Sequence, residues 1–110
     1  MLVSLEEAKG YLRLDTADED AIISSLLFSA QKLCADVARL TPEQWEDIDS
    51  CKARSERYSA GELAAVRETM RVAVLYTIAY LFEHREEADH HELILTLRSL
   101  LFAVREGAVW

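Results

Sequence analysis

Ile22, Ile23, Leu26, Leu27, Ala30, Leu33, Cys34 and Val37 recur at intervals that only a helix converts into one continuous side. A stripe this wide must be covered by other elements. What covers it is constrained in turn, because the chain has 3 glycines and 1 proline, too few for the turns of an all-β domain. With 110 residues and 51% hydrophobic composition, one compact domain with one modest core is the expectation.

The flanking segments extend this pattern. Ser4 and Glu7 have the spacing of a capping box, and Leu5, Ala8 and Leu12 share a face behind it. Gly10 weakens that first helix by about 1 kcal/mol relative to alanine. It would be justified if another backbone came close.

The acidic stretch LDTADED poses a choice between a metal-binding loop and the start of the next helix. Counting from Asp15, a calcium loop needs glycine at the sixth position and glutamate at the twelfth, where this chain has Asp20 and Leu26. The spacing therefore predicts helix punctuation. Thr16 or Asp18 would cap, and Asp18, Glu19 and Asp20 would meet the positive end of a helix running over 18–40. Thr41 and Pro42 then suit the cap and first position of a short extra helical turn.

Residues 47–61 show no period and hold a basic group of Lys52, Arg54 and Arg57. They read either as a solvated connector or as a loop touching a partner. A long helix follows, from about 59–62 to 86. Leu63, Val66, Met70, Val74, Thr77 and Leu81 line one face, with Tyr76 and Tyr80 opposite. Such a helix is either central to the bundle or faces a neighbouring subunit. Leu93, Leu97, Leu100, Leu101 and Val104 predict a final helix over 89–105, and Gly107 is a natural stop. The expected fold is all-α, a small bundle of four main helices plus the short extra turn.

Composition also limits function. A net charge of −8 argues against a free-standing DNA binder, whose affinity comes from basic contacts to phosphate. The longest uncharged apolar run, 72–82, falls short of the roughly 20 residues of a membrane span. The N-terminus lacks the basic and apolar regions of a signal peptide. A soluble chain in the cytoplasm, with no membrane partner, is expected. Cys34 and Cys51 form neither a disulfide framework nor a metal knuckle, and Cys34 on its apolar stripe reads as a buried thiol.

His84, His90 and His91 lack metal-ligand spacing, and no nucleophile or phosphate-loop motif occurs. The best enzymatic reading is a small all-α magnesium-dependent nucleotide phosphohydrolase. Its carboxylate pairs would be Glu43 with Glu46 and Glu86 with Asp89, each at helical i, i+3 spacing. A helical regulator binding another protein through its apolar stripe is a further option. Trp110 would either fold back onto the helix end or anchor a partner.

Three stretches carry a resemblance. The first holds Leu5-Glu6-Glu7, then Leu12-Arg13-Leu14-Asp15, then Asp18-Glu19-Asp20 and Ala21-Ile22-Ile23. The second ends in Phe82, Glu83, His84, Arg85 and Glu86, and the third, LRSLLFAVRE, carries Leu100, Leu101 and Arg105. In this order they are similar to the head–tail connector, or head-completion adaptor, proteins of long-tailed bacteriophages, over about three quarters of the chain.

The resemblance implies a single connector domain over 1–110, with 47–61 as a loop and 105–110 as a C-terminal tail. It implies no catalysis and no cofactor. Such proteins form a ring of about a dozen copies beneath the portal protein, at the head–tail junction of the virion. They extend the DNA channel without binding DNA specifically, and dock the next head-completion or tail protein. By that likeness Arg105, Val109 and Trp110 become the portal-docking tail. Lys52, Arg54, Arg57 and Tyr58 become a contact to the channel or tail-side partner. The two-faced helix suggests Tyr76, Tyr80, Arg85 and Glu86 for the contact between subunits, since a ring subunit needs two different faces.

Overall fold

The computed structural model describes residues 2–14, 16–50, 60–84 and 90–102. These form five helices and no strand: α1 (Leu5–Leu12), α2 (Asp20–Val37), α3 (Pro42–Ser50), α4 (Ala60–Glu83) and α5 (His91–Leu100). The all-α expectation holds. None of the helices is long and apolar enough to cross a membrane.

The axis of the fold is α4. Its 24 residues run for about 36 Å, close to the 43 Å long dimension of the molecule. Every other helix leans on it, α2 most extensively. Small residues let these two close together: Ala30, Cys34 and Ala38 from α2 and its cap, and Ala73 from α4, are all fully buried. Ile23, Leu27, Met70, Val74 and Ile78 fill the space above and below them, with Leu93, Leu97 and Leu101 closing the core from α5.

At the centre, the Thr77 hydroxyl donates to the Ala73 carbonyl at 2.7 Å. Its one hydrogen is thus committed, so the Cys34 thiol is the donor in the 3.4 Å contact between Sγ and Thr77 Oγ1. Burial pushes the thiol up to about 11, outweighing the opposite pull of Thr77. Cys34 is the buried thiol expected of it; Cys51 lies outside the described residues.

The N-terminus is fastened into the same core. Ser4 and Glu7 form both halves of the expected capping box. Leu2 and Val3 are buried ahead of it. The Leu2 amide donates to Gln31 Oε1 at 3.0 Å, and Arg71 of α4 donates to the Leu2 carbonyl and to the Glu7 carboxylate. The Arg71 hydrogen bond, helped by Ser4, holds the Glu7 carboxyl down to about 2. Glu7 raises the guanidinium in return.

Several helix ends differ from the sequence expectation. The first helix stops with Arg13 in the left-handed region, where Leu14 N–H reaches Lys9 O and Arg13 N–H reaches Gly10 O. The second stops the same way at Arg39, with Leu40 N–H on Ala35 O and Arg39 N–H on Asp36 O. Both are Schellman endings without the usual glycine. In each the following leucine, Leu14 or Leu40, turns back onto the core. The Leu12-Arg13-Leu14 step is thus a helix stop, and α2 ends before Leu40.

At its other end α2 begins at Asp20, with Glu19 at the cap position and no side-chain cap. Thr16 and Asp18 therefore do not cap it. Asp20 is held instead by Lys9 at 2.8 Å, which ties α1 to α2. A Cβ placed on Gly10 would meet nothing within 4 Å, so no close backbone approach explains that glycine.

The expected loop over 47–61 is shorter at both ends. Residues 47–50 belong to α3, because Gln44, Asp47 and Ile48 share a buried side, and 60–61 belong to α4. The final helix ends at Leu100, with a turn at 101–102, and Val104 and Gly107 of the expected helix end lie outside the described residues. Its buried row is Leu93, Leu97 and Leu101, while Leu100 is exposed.

Candidate functional site

Among the described residues several large apolar side chains stay exposed, including Leu95, Leu100 and Phe102 on and just past α5, and two of the surfaces so formed follow from how the helices are directed. The first lies between α2 and α3. Thr41 and Gln44 cap α3 reciprocally, with Gln44 N–H on Thr41 Oγ1 at 3.2 Å and Thr41 N–H on Gln44 Oε1 at 2.8 Å. Pro42 sits at the first helical position, as expected. Together with the left-handed turn at Arg39, this cap sends α3 onto α4 rather than back along α2.

A groove of about 560 Å³ is left between the two helices. Phe28 and Trp45 are its large apolar walls, and Ala35, Leu40 and Pro42 line it. Gln31, Lys32, Asp36, Thr41 and Asp49 supply its polar edge. Lys32 and Asp36 pair there at 2.6 Å, both well exposed. Phe28 is 72% exposed, although it sits in mid-helix. A free-standing phenyl ring beside an apolar groove is a feature that a purely structural helix face does not need.

The second surface is the outer side of α4. Leu63, Met70, Val74, Thr77 and Ile78 are buried on one side of this helix. Val72 and Tyr76, one turn apart, stand on the opposite side, 50% and 39% exposed. Ala65 and Ala79 share their face at two-turn spacing from Val72, so the two larger side chains form a low ridge. No residue of α4 lines the groove, and the two surfaces do not overlap.

Tyr80 behaves differently from Tyr76. It packs partly against the core, stacks on His84 with ring centroids 4.1 Å apart, and meets His90 edge-on at 5.9 Å. His84 Nδ1 donates to the Tyr80 carbonyl at 2.9 Å. Of the residues suggested for contact between subunits, the structure therefore exposes Tyr76 and draws Tyr80 inward. Arg85 and Glu86 lie outside the described residues. So do Lys52, Arg54, Arg57 and Tyr58 of the loop, and Arg105, Val109 and Trp110 of the tail.

For the enzymatic reading, Glu43 and Glu46 are exposed on α3, while Glu86 and Asp89 are outside the described residues. Among the described residues no three His, Cys, Asp or Glu side chains gather to hold a metal ion. The groove was not anticipated from sequence. The available signal was Phe28, a large aromatic residue set off the apolar stripe of α2 and next to Ser29. No family model, curated protein or solved structure matches the chain.

Proposed function

We propose that this chain is a structural ring subunit, a head–tail connector that sits below a phage portal, extends the DNA channel and docks the next head-completion or tail protein. The observation that supports this reading most is the presence of two non-overlapping apolar surfaces on one small subunit, the groove beside Phe28 and the ridge of Val72 and Tyr76. Two unlike surfaces suit head-to-tail contact, which closes into a ring when the rotation between neighbours permits. The sequence resemblance supplies the biological setting. The net charge of −8 suits a channel wall past which DNA slides without sticking. In this reading the subunit acts by shape and contact, without catalysis or cofactor.

Native mass spectrometry and electron microscopy of the protein at rising concentration, alone and with its portal, test the proposal. Closed rings, free or portal-bound, are the expected result. A monomer under every condition, with no affinity for the portal, overturns it.

A further inference from the structure

Resting on the ring reading, we propose that the outer face of α5 in one copy, with Leu95, Arg98 and Phe102, seats in the α2–α3 groove of the next copy, between Phe28 and Trp45. The sign of the groove comes first. Asp36 and Asp49 line it against one lysine, Lys32, which Asp36 already holds at 2.6 Å. Its α3 wall carries Glu43, Glu46, Asp47 and Asp49 and no basic residue. Exposed Arg39 does not line it. The groove is thus an apolar slot with an acidic edge, and its complement is an apolar surface that carries a cation.

Among the described residues, α5 carries that combination. Leu93, Leu97 and Leu101 are its buried row. Leu95 and Phe102, 49% and 50% exposed, share the other side, about 10 Å apart along the helix axis. Exposed Arg98 stands between them, one turn from each. Glu92, also exposed, lies in the first turn ahead of Leu95 and outside this stretch. The ridge on α4 has the opposite character: the exposed charged side chains of α4 are Glu62, Glu68 and Glu83, and Arg71 is committed to Leu2 and Glu7. An arginine suits the groove in two ways, because its planar guanidinium forks onto a carboxylate and stacks on an aromatic face. No residue of α5 lines the groove of its own chain, so each copy can offer one surface and receive the other. Unlike surfaces used in this way join copies head to tail.

Charge reversal in the full-length protein tests this. Arg98→Glu should need at least about tenfold more protein than wild type to assemble. Asp49→Arg should do the same, and Asp36→Arg is the second groove variant should Asp49→Arg melt early. Arg98→Glu and the groove reversal combined in one chain should restore assembly, which a merely misfolded variant cannot do. In a second arm, Phe28→Asp disables the groove and Phe102→Asp the α5 face. Their equimolar mixture should give a one-to-one dimer that grows no further, because one intact groove meets one intact α5 face. If wild type forms rings while the combined reversal fails to restore them, the mixture gives no dimer, or Arg98→Glu assembles normally, the pairing is wrong and the ring reading survives. If wild type never assembles, alone or with its portal, both are overturned.

Discussion

Along α2, the side facing α4 is built from Ile23, Leu27, Ala30 and Cys34, each sealed from solvent, whereas the side facing α3 ends in Phe28, which is 72% exposed. Both sides carry apolar residues, so hydrophobicity alone does not distinguish them. The difference lies in backbone approach. Ala30, Cys34 and Ala73 let α2 and α4 close until side chains interlock, while the Arg39 turn and the Thr41 cap steer α3 away and leave the groove. A face is finished inside the subunit where helix direction allows it, and stays exposed where it does not.

The largest effect expected on the closed side is that of Met70→Ala. Met70 is fully buried in the core, and truncation there should cost about 2–5 kcal/mol through lost burial and a residual cavity. Urea denaturation measures it. A loss below about 0.5 kcal/mol, the range of ordinary surface changes, would mean that the two sides of α2 are not as different as their burial indicates. Arg71→Ala comes next. It leaves the Leu2 carbonyl and Glu7 without their donor, and a charged hydrogen bond of this kind is worth about 1.5–3 kcal/mol. Faster exchange of the Leu2 amide than of the α4 amides would locate the damage at the N-terminus.

Much of this contrast was legible in the sequence, but unevenly. The stripe over 22–37 specified the closed side except at its head, where Ile22 is exposed, and Ser4 with Glu7 specified a helix start, because both signals are local. The ends at Arg13 and Arg39 were not legible. An arginine in the left-handed conformation carries no glycine signature, and only the returning Leu14 and Leu40 repay it. Arg71 meets Leu2 across 69 positions of chain, beyond any periodic pattern. The groove depends on the direction α3 takes after Thr41, which spacing along α2 does not encode. Tyr76 and Tyr80 look equivalent in sequence, and packing against the core and against the imidazoles of His84 and His90 separates them.

Thr41→Ala probes the device that opens the groove. Removing the hydroxyl deprives the Gln44 amide of its acceptor, and loss of such a cap costs about 1 kcal/mol. Trp45 fluorescence should report a loosened α3 before the whole fold melts; coincident transitions in fluorescence and circular dichroism would show that α3 does not unfold on its own.

Glu7 provides a pH test of the N-terminal fastening. Its folded value lies near 2 against an ordinary 4.5, so the unfolded chain binds the extra proton between these limits. The contribution is complete above about pH 4.5 and is lost as pH falls toward 2. Because the Glu7 side chain is 43% exposed, solvent screening reduces it to about 1 kcal/mol. Glu7→Gln should lower stability at pH 7 and flatten this part of the acid profile. An unchanged slope would show that other carboxylates set it.

The smallest effect belongs to Phe28→Ser, and it bears most directly on the contrast. A ring this exposed gains little from folding, so its loss should shift the stability of the isolated subunit by no more than about 0.5 kcal/mol. The same substitution on the other side of α2, at Leu27, would remove a fully buried side chain and cost several-fold more. Measured below the assembly concentration, Phe28→Ser and wild type should therefore unfold together. Measured above it, wild type alone should gain stability with concentration, since association stabilises only the folded state. If Phe28→Ser destabilises the dilute subunit as strongly as a core truncation, the ring is packed within its own chain in solution, and α2 has two closed sides rather than one.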